Sequence, residues 1–171
     1  MTKRIILVTG GQRSGKSGYA QRLALELSDR PVYMATSRVW DEEYRKRIER
    51  HQRDRGPQWT NIEEEKLLSR HPIEGRVVVI DCVTLWCTNF FFDQDSDSDL
   101  ALRELKEEFD RFTAQEATFI FVTNEIGMGG VAENTIQRRF TDLQGWMNQY
   151  IAGKADEVVL MVSGIDLKIK G

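Results

Sequence analysis

Eight consecutive residues carry the plainest chemistry in the chain: Gly10-Gly11-Gln12-Arg13-Ser14-Gly15-Lys16-Ser17. Their spacing fits G-x-x-x-x-G-K-S/T, a loop whose glycines let the backbone turn tightly. Successive N–H groups then converge on phosphate oxygens at a helix N-terminus. Lys16 would place a positive charge toward the outer phosphates, and the Ser17 hydroxyl is a ligand suited to Mg²⁺. A glycine-rich turn could match this pattern without binding anything. Here an apolar strand-like run precedes the loop and a helix-period segment follows it, which is the context the mechanism requires.

A nucleotide site of this kind needs a second carboxylate to place the metal, and Asp81 closes the run Val77-Val78-Val79-Ile80-Asp81. If that strand lies beside the first one, Asp81 sits next to the loop as a metal ligand; otherwise it merely ends a strand. His51 lies in Arg45-Lys46-Arg47-Ile48-Glu49-Arg50-His51-Gln52-Arg53-Asp54-Arg55. Such a run is usually a solvated helix face laced with Glu–Arg pairs. An imidazole is also a competent nucleophile at neutral pH, and nearby arginines offset charge on a phosphoryl group. Spacing does not choose between the two. His71, beside Pro72, reads as a loop residue, and Cys82 and Cys87 as buried small side chains. For Met128 and Trp146, packing is the expectation.

Short β-rich runs alternate with longer helix-period segments, and these elements must position the chemistry. Strands are expected at residues 5–9, 32–35, 77–81, 118–122 and 158–162, with residues 164–169 able to add a hairpin partner to the last. Helices are expected at 14–27, 41–55, 98–114 and 133–152. Inner stripes are Ala20, Leu23, Ala24 and Leu27 in the first of these helices, and Leu102, Leu105, Phe109 and Phe112 in the third. The alternation predicts an α/β fold with a mostly parallel sheet flanked by helices, and ligands at the carboxyl ends of its strands.

The 171 residues are 40% hydrophobic and 30% charged, which fits one good-sized core and a single domain spanning 1–171. A net charge of −3 argues against a general nucleic-acid binder. No apolar stretch is long enough for a transmembrane span, and the opening residues read as a first strand rather than a signal peptide. Two cysteines are too few for a disulfide framework or a four-thiolate zinc site. A cytoplasmic location is expected.

Several separated blocks together resemble the adenosylcobinamide kinase/adenosylcobinamide-phosphate guanylyltransferase family of cobalamin biosynthesis. They are the loop at Gly10 to Ser17; Ala35-Thr36-Ser37; Arg47, Ile48, His51, Arg55 and Trp59; Thr-Asn-Glu-Ile-Gly-Met-Gly at 123–129; Glu133-Asn134; Asn148-Gln149; and Val-Ser-Gly-Ile-x-x-Lys-Ile-Lys at 162–170. The resemblance spans nearly the whole chain in order. It implies a RecA-like P-loop domain in which a nucleoside triphosphate, ATP or GTP, phosphorylates the terminal hydroxyl of adenosylcobinamide. GTP then passes GMP to that phosphate through a covalent GMP–histidine, releasing pyrophosphate. By position, His51 matches the nucleotidylated histidine. Ala35, Thr36, Ser37, Gln52, Arg53, Asp54, Arg55 and Glu63 match the guanine-nucleotide site. The resemblance also implies a homotrimer. Two departures stand out: Asp81 where relatives can carry Glu, and Gly130 and Ala132 where a bulkier residue and a proline are common. A kinase that has lost the transferase step, or a nucleotide-binding switch without small-molecule chemistry, are the alternatives.

Overall fold

The computed structural model describes residues 2–171. Seven strands form one sheet: β1 (Arg4–Gly10), β2 (Val32–Ala35), β3 (Thr60–Glu63), β4 (Val77–Asp81), β5 (Thr118–Asn124), β6 (Glu157–Val162) and β7 (Ile165–Lys170). Their order across the sheet is β3-β2-β4-β5-β1-β6-β7. All pairings are parallel except β6 with β7, the antiparallel hairpin expected at the end of the chain. The helices are α1 (Lys16–Leu27), α2 (Glu42–Arg55), α3 (Val83–Asp93), α4 (Ser98–Phe112) and α5 (Thr135–Lys154).

Side chains alternate across the sheet with period two, and the sheet thereby sorts two cores. Leu7, Met34, Ile80, Phe119 and Phe121 face α3, α4 and α5, packing on Trp86, Phe91, Leu105, Phe109, Phe112 and Met147. Ile6, Val8, Val79, Ile120 and Val122 face the other way, toward Ala20 and Ala24 of α1. Residues 77–80 are therefore all buried, as successive apolar residues on a central strand must be. Cys82 and Cys87 are buried free thiols. Among the described residues no helix is long and apolar enough to cross a membrane.

Side-chain caps set several helix starts. The Asp41 carboxylate accepts the Tyr44 N–H at 2.8 Å at the head of α2, and Asn134 accepts the Ile136 and Gln137 N–H groups at the head of α5. Glu42 and Glu43 in the first turn of α2, with Arg53 and Arg55 in its last, complement the helix dipole. Yet α2 buries none of its residues.

Five expectations change. β5 lies between β1 and β4, so Asp81 is not on a strand neighbouring the phosphate loop. α3 was not expected: its Val-Thr-Leu-Trp-Cys-Thr-Asn-Phe-Phe-Phe-Asp sequence is apolar on several sides, so no single stripe marks a helix. β3 was missed as well, being a four-residue edge strand with one partly buried side chain. Leu27, the last residue of α1, is 40% exposed rather than part of the inner stripe. Met128, 85% exposed in the loop after β5, and Trp146, 43% exposed on α5, are not the packed side chains expected.

Candidate active site at the carboxyl ends of the strands

The loop after β1 is shaped by close approach. A Cβ on Gly10 would stand 2.7 Å from the Met161 carbonyl oxygen on β6 and 2.7 Å from Ser14 Oγ. Gly15 has φ 96° in the left-handed region at the N-cap of α1, and its own Cβ would meet Gly164 Cα at 3.2 Å. The β6–β7 turn closes this side of the loop, because Gly164 N–H donates to the Ser14 carbonyl at 2.9 Å. Lys16 is buried, and its Nζ donates back to the Gly11 carbonyl at 2.6 Å. Burial lowers its pKa, against the opposing influence of Cys82 and Asp81. Ser14 Oγ is buried with no hydrogen-bond partner, a donor turned into the loop. Gln12 and Arg13 are exposed at the loop's crest.

Asp81 reaches this loop despite the intervening strand. α1 crosses over β5 and packs on β4, which carries Ser17 to the end of that strand. Ser17 Oγ donates to Asp81 Oδ2 at 2.7 Å. The Tyr33 hydroxyl donates to the same oxygen at 2.7 Å. Tyr33 lies on the β2 position paired with Val79, diagonal to Asp81 on the same face. Burial and the neighbouring carboxylate push its phenol pKa well above the ordinary value, so it stays a donor. Burial likewise raises the Cys82 thiol to about 11, keeping it protonated.

α2 supplies the opposite wall. The Arg55 guanidinium stacks over the Tyr33 ring at 3.6 Å and donates to Asn61 Oδ1 at 2.6 Å. Burial lowers the Arg55 pKa from its ordinary value, while Tyr33 and Asp81 oppose that shift. His51, one turn before Arg55, presents its side chain on the same face of the helix. A cleft of about 420 Å³ is lined by Ser17, Gln21, Tyr33, His51, Asp54, Arg55 and Asp81. Ala35, Ser37, Gln52, Tyr44 and Leu85 line an adjoining hollow that shares Tyr33, His51, Arg55 and Asp81.

Most of the residues singled out in the sequence thus meet in one place, and three lie apart. Thr36 is fully buried, donating to the Cys82 carbonyl at 2.7 Å and accepting the Cys82 N–H at 3.0 Å, so it braces the strand end beneath Asp81. Arg53 borders a separate hollow with Glu49, Gly56 and Pro57. Glu63 is held by Arg45 at 2.9 Å and lines a separate charged hollow with Glu64, Glu65, Lys66 and Arg70. His71 hydrogen-bonds Glu64 at 2.9 Å, away from the cleft. Tyr33, Gln21 and Asn61 were missed. Tyr33 alone left a signal, a hydroxyl on an otherwise apolar strand.

The donor set suits a hard divalent cation. Ser17 Oγ and Asp81 Oδ2 are oxygens already converged at the mouth of the phosphate loop. Mg²⁺ is commonly held by one or two protein oxygens together with phosphates and water. Among the described residues no group of three or more His, Cys, Asp or Glu forms a self-contained metal cage.

The flagellar accessory protein FlaH of Methanocaldococcus jannaschii shares the fold, with a TM-score of 0.52 at 16% identity over 99% of this chain and 80% of that one. Sequence relatives are far closer. Escherichia coli has a bifunctional adenosylcobalamin biosynthesis protein, CobU, that is 39% identical over 97% of this chain and 99% of its own length. The CobU protein of Salmonella typhimurium is 37% identical over the same shares. The CobP protein of Pseudomonas aeruginosa is 36% identical over 96% of each chain. Residues 6–169 match the family described as cobinamide kinase / cobinamide phosphate guanyltransferase, and the chain belongs to that family.

Proposed function

We propose that one cleft in this chain performs both reactions named by its family, on adenosylcobinamide and a nucleoside triphosphate, in the cytoplasm. The observation that carries the reading is the sharing of a single cleft by His51 of α2, Ser17 of the phosphate loop and Asp81 of β4.

In the kinase step, backbone N–H groups at the head of α1 and Lys16 hold the triphosphate of ATP or GTP. The terminal hydroxyl oxygen of the corrinoid attacks the γ-phosphorus. The β–γ bridging P–O bond breaks, the nucleoside diphosphate leaves and the hydroxyl proton passes to solvent. Ser17 and Asp81 would hold Mg²⁺, which would supply positive charge to the phosphoryl oxygens.

In the transferase step, a ring nitrogen of His51 attacks the α-phosphorus of GTP, forming a P–N bond and releasing pyrophosphate. An oxygen of the corrinoid phosphate then attacks the same phosphorus and the P–N bond breaks, leaving a diphosphate-linked product and free His51. Arg55, beside His51, offsets charge on the transferring group. α2 has no fully buried residue and is held chiefly by the Arg55–Tyr33 stack, the Arg55–Asn61 hydrogen bond and the Arg45–Glu63 pair, so a shift toward the loop exchanges these polar contacts rather than opening a core. Ala35, Ser37, Gln52 and Asp54 line the space on His51's side and are assigned to the guanine nucleotide. Thr36 supports them from below, Arg53 would join only after α2 has moved, and Glu63, on β3, bears on the nucleotide only through its pairing with Arg45 of α2. A homotrimer is part of the same reading, supported by the bare Ile165, Leu167 and Ile169 of β7.

The test is incubation with α-labelled GTP and Mg²⁺. The wild-type chain should acquire an acid-labile label, and His51→Ala should lose both label and guanylyl transfer while keeping the kinase step. Label persisting in His51→Ala would remove that residue from the mechanism.

A further inference from the structure

The acceptor in the proposed reactions is a large, flat corrin macrocycle fringed with amides, with its reacting alcohol on a flexible arm. A cleft lined by Ser17, Gln21, His51, Asp54, Arg55 and Asp81 has the polarity a nucleoside triphosphate requires and offers no extended apolar face to the ring. The ring therefore needs a second surface within reach of the phosphate loop.

One hollow of about 370 Å³ between α3 and α5 has the required character. Phe92, Ile126, Ile136 and Phe140 give it an apolar lining, and Thr88 and Gln137 stand among them. Phe92 is 57% and Ile136 47% exposed, unusual for such side chains on helices that otherwise pack well. The hollow beside β3 is instead lined mainly by charged groups.

One wall of this hollow and part of its rim grow out of the candidate active site. α3 starts two residues after Asp81. Its Leu85 lines the nucleotide side, and Thr88 and Phe92, at helical spacing from it, line the hollow. Leu85 and Phe92 are seven residues apart, about 10 Å along the helix. The rim is the loop after β5, which supplies Ile126 and Ala132 and leads into α5, the opposite wall. Asn124 pairs with Gly10 in the sheet, and Glu125 N–H donates to the Gly10 carbonyl at 2.9 Å, so that loop leaves directly from the phosphate loop toward Ile126. The polar fringe suits amides. Thr88 and Thr141 donate their hydroxyl protons to their own helices, which leaves their oxygens as acceptors beside the Gln137 amide.

We propose that this hollow docks the apolar face of the corrin ring, with the alcohol-bearing arm running along the exposed face of α3 to the phosphate loop. The proposal rests on the functional reading above and adds the acceptor's binding surface to it.

The variants Phe92→Ser and Ile136→Glu test it. Both positions are exposed, and an acidic residue is favourable in the first turn of α5. Each should raise KM for adenosylcobinamide about ten-fold or more, with kcat at saturating corrinoid, KM for nucleotide, and GTP labelling without corrinoid all unchanged. Wild-type KM for the corrinoid in both variants overturns the proposal. So does a changed sedimentation state with unchanged KM, which would show a second copy of the chain on this face. Failure of the functional reading looks different: the wild-type chain itself would neither label nor turn over adenosylcobinamide.

Discussion

Tyr33 and Ser17 donate to one and the same oxygen, Oδ2 of Asp81, each at 2.7 Å. Two side chains from different elements thus orient a single carboxylate, and Tyr33 also carries the Arg55 guanidinium on its ring. A continuous chain of contacts therefore runs from the helix that holds His51, through Tyr33, to the carboxylate assigned to the metal.

Tyr33→Phe removes the hydroxyl and keeps the ring, its stacking under Arg55 and its edge contact with Trp59. Outer hydrogen bonds of this kind typically contribute a factor of about ten in metal affinity. The Mg²⁺ concentration for half-maximal rate should rise about that much in both reactions, as read from metal titrations of kinase and transferase turnover. Tyr33→Leu, which also removes the stacking platform, should further slow labelling of His51 by GTP.

Gly10 and Gly11 are adjacent yet should differ sharply. A Cβ at Gly10 meets a backbone oxygen at 2.7 Å, whereas at Gly11 it meets nothing within 4 Å. Gly10→Ala should cost about 1–3 kcal/mol through forced backbone displacement, and Gly11→Ala about 0.5 kcal/mol or less. Thermal unfolding of the unliganded proteins reads the difference directly.

Asp93 ties α3 to the segment following β2. Hydrogen bonding from Arg38, supported by Lys66, holds its carboxyl down to about 2 from an ordinary value of 3.8. Because the folded pKa is the lower one, the tether contributes stability above pH 3.8 and loses it as the pH falls toward 2. Asp93→Asn should lower Tm at neutral pH, and its difference from wild type should shrink across that acid window. Salt should reduce the effect at neutral pH, since the pair is partly exposed.

Local signals made much of this fold legible. A loop motif between an apolar run and a helix-period segment is a short-range pattern, so the residues from Gly10 to Ser17 could be read in order. The fully apolar residues 77–80 announced a central strand. Where periodicity was absent, as in α3, or the element was a four-residue edge strand, as in β3, the chain gave no local cue. Neither α3's packing nor β3's pairing is encoded within its own few residues.

Sequence alone determined the glycine-rich loop between β1 and α1, the alternating strands and helices, the terminal hairpin and, through its separated blocks, the family. Tertiary structure decided which residues meet. Asp81 stands two strands away from β1, and only the path of α1 over β5 brings Ser17 to it. The same packing turned Thr36 into a buried brace, left Arg53 and Glu63 outside the cleft, and put the unremarked Tyr33 at its floor. Contacts between residues tens of positions apart depend on sheet order and helix path, which long-range packing fixes and local pattern does not.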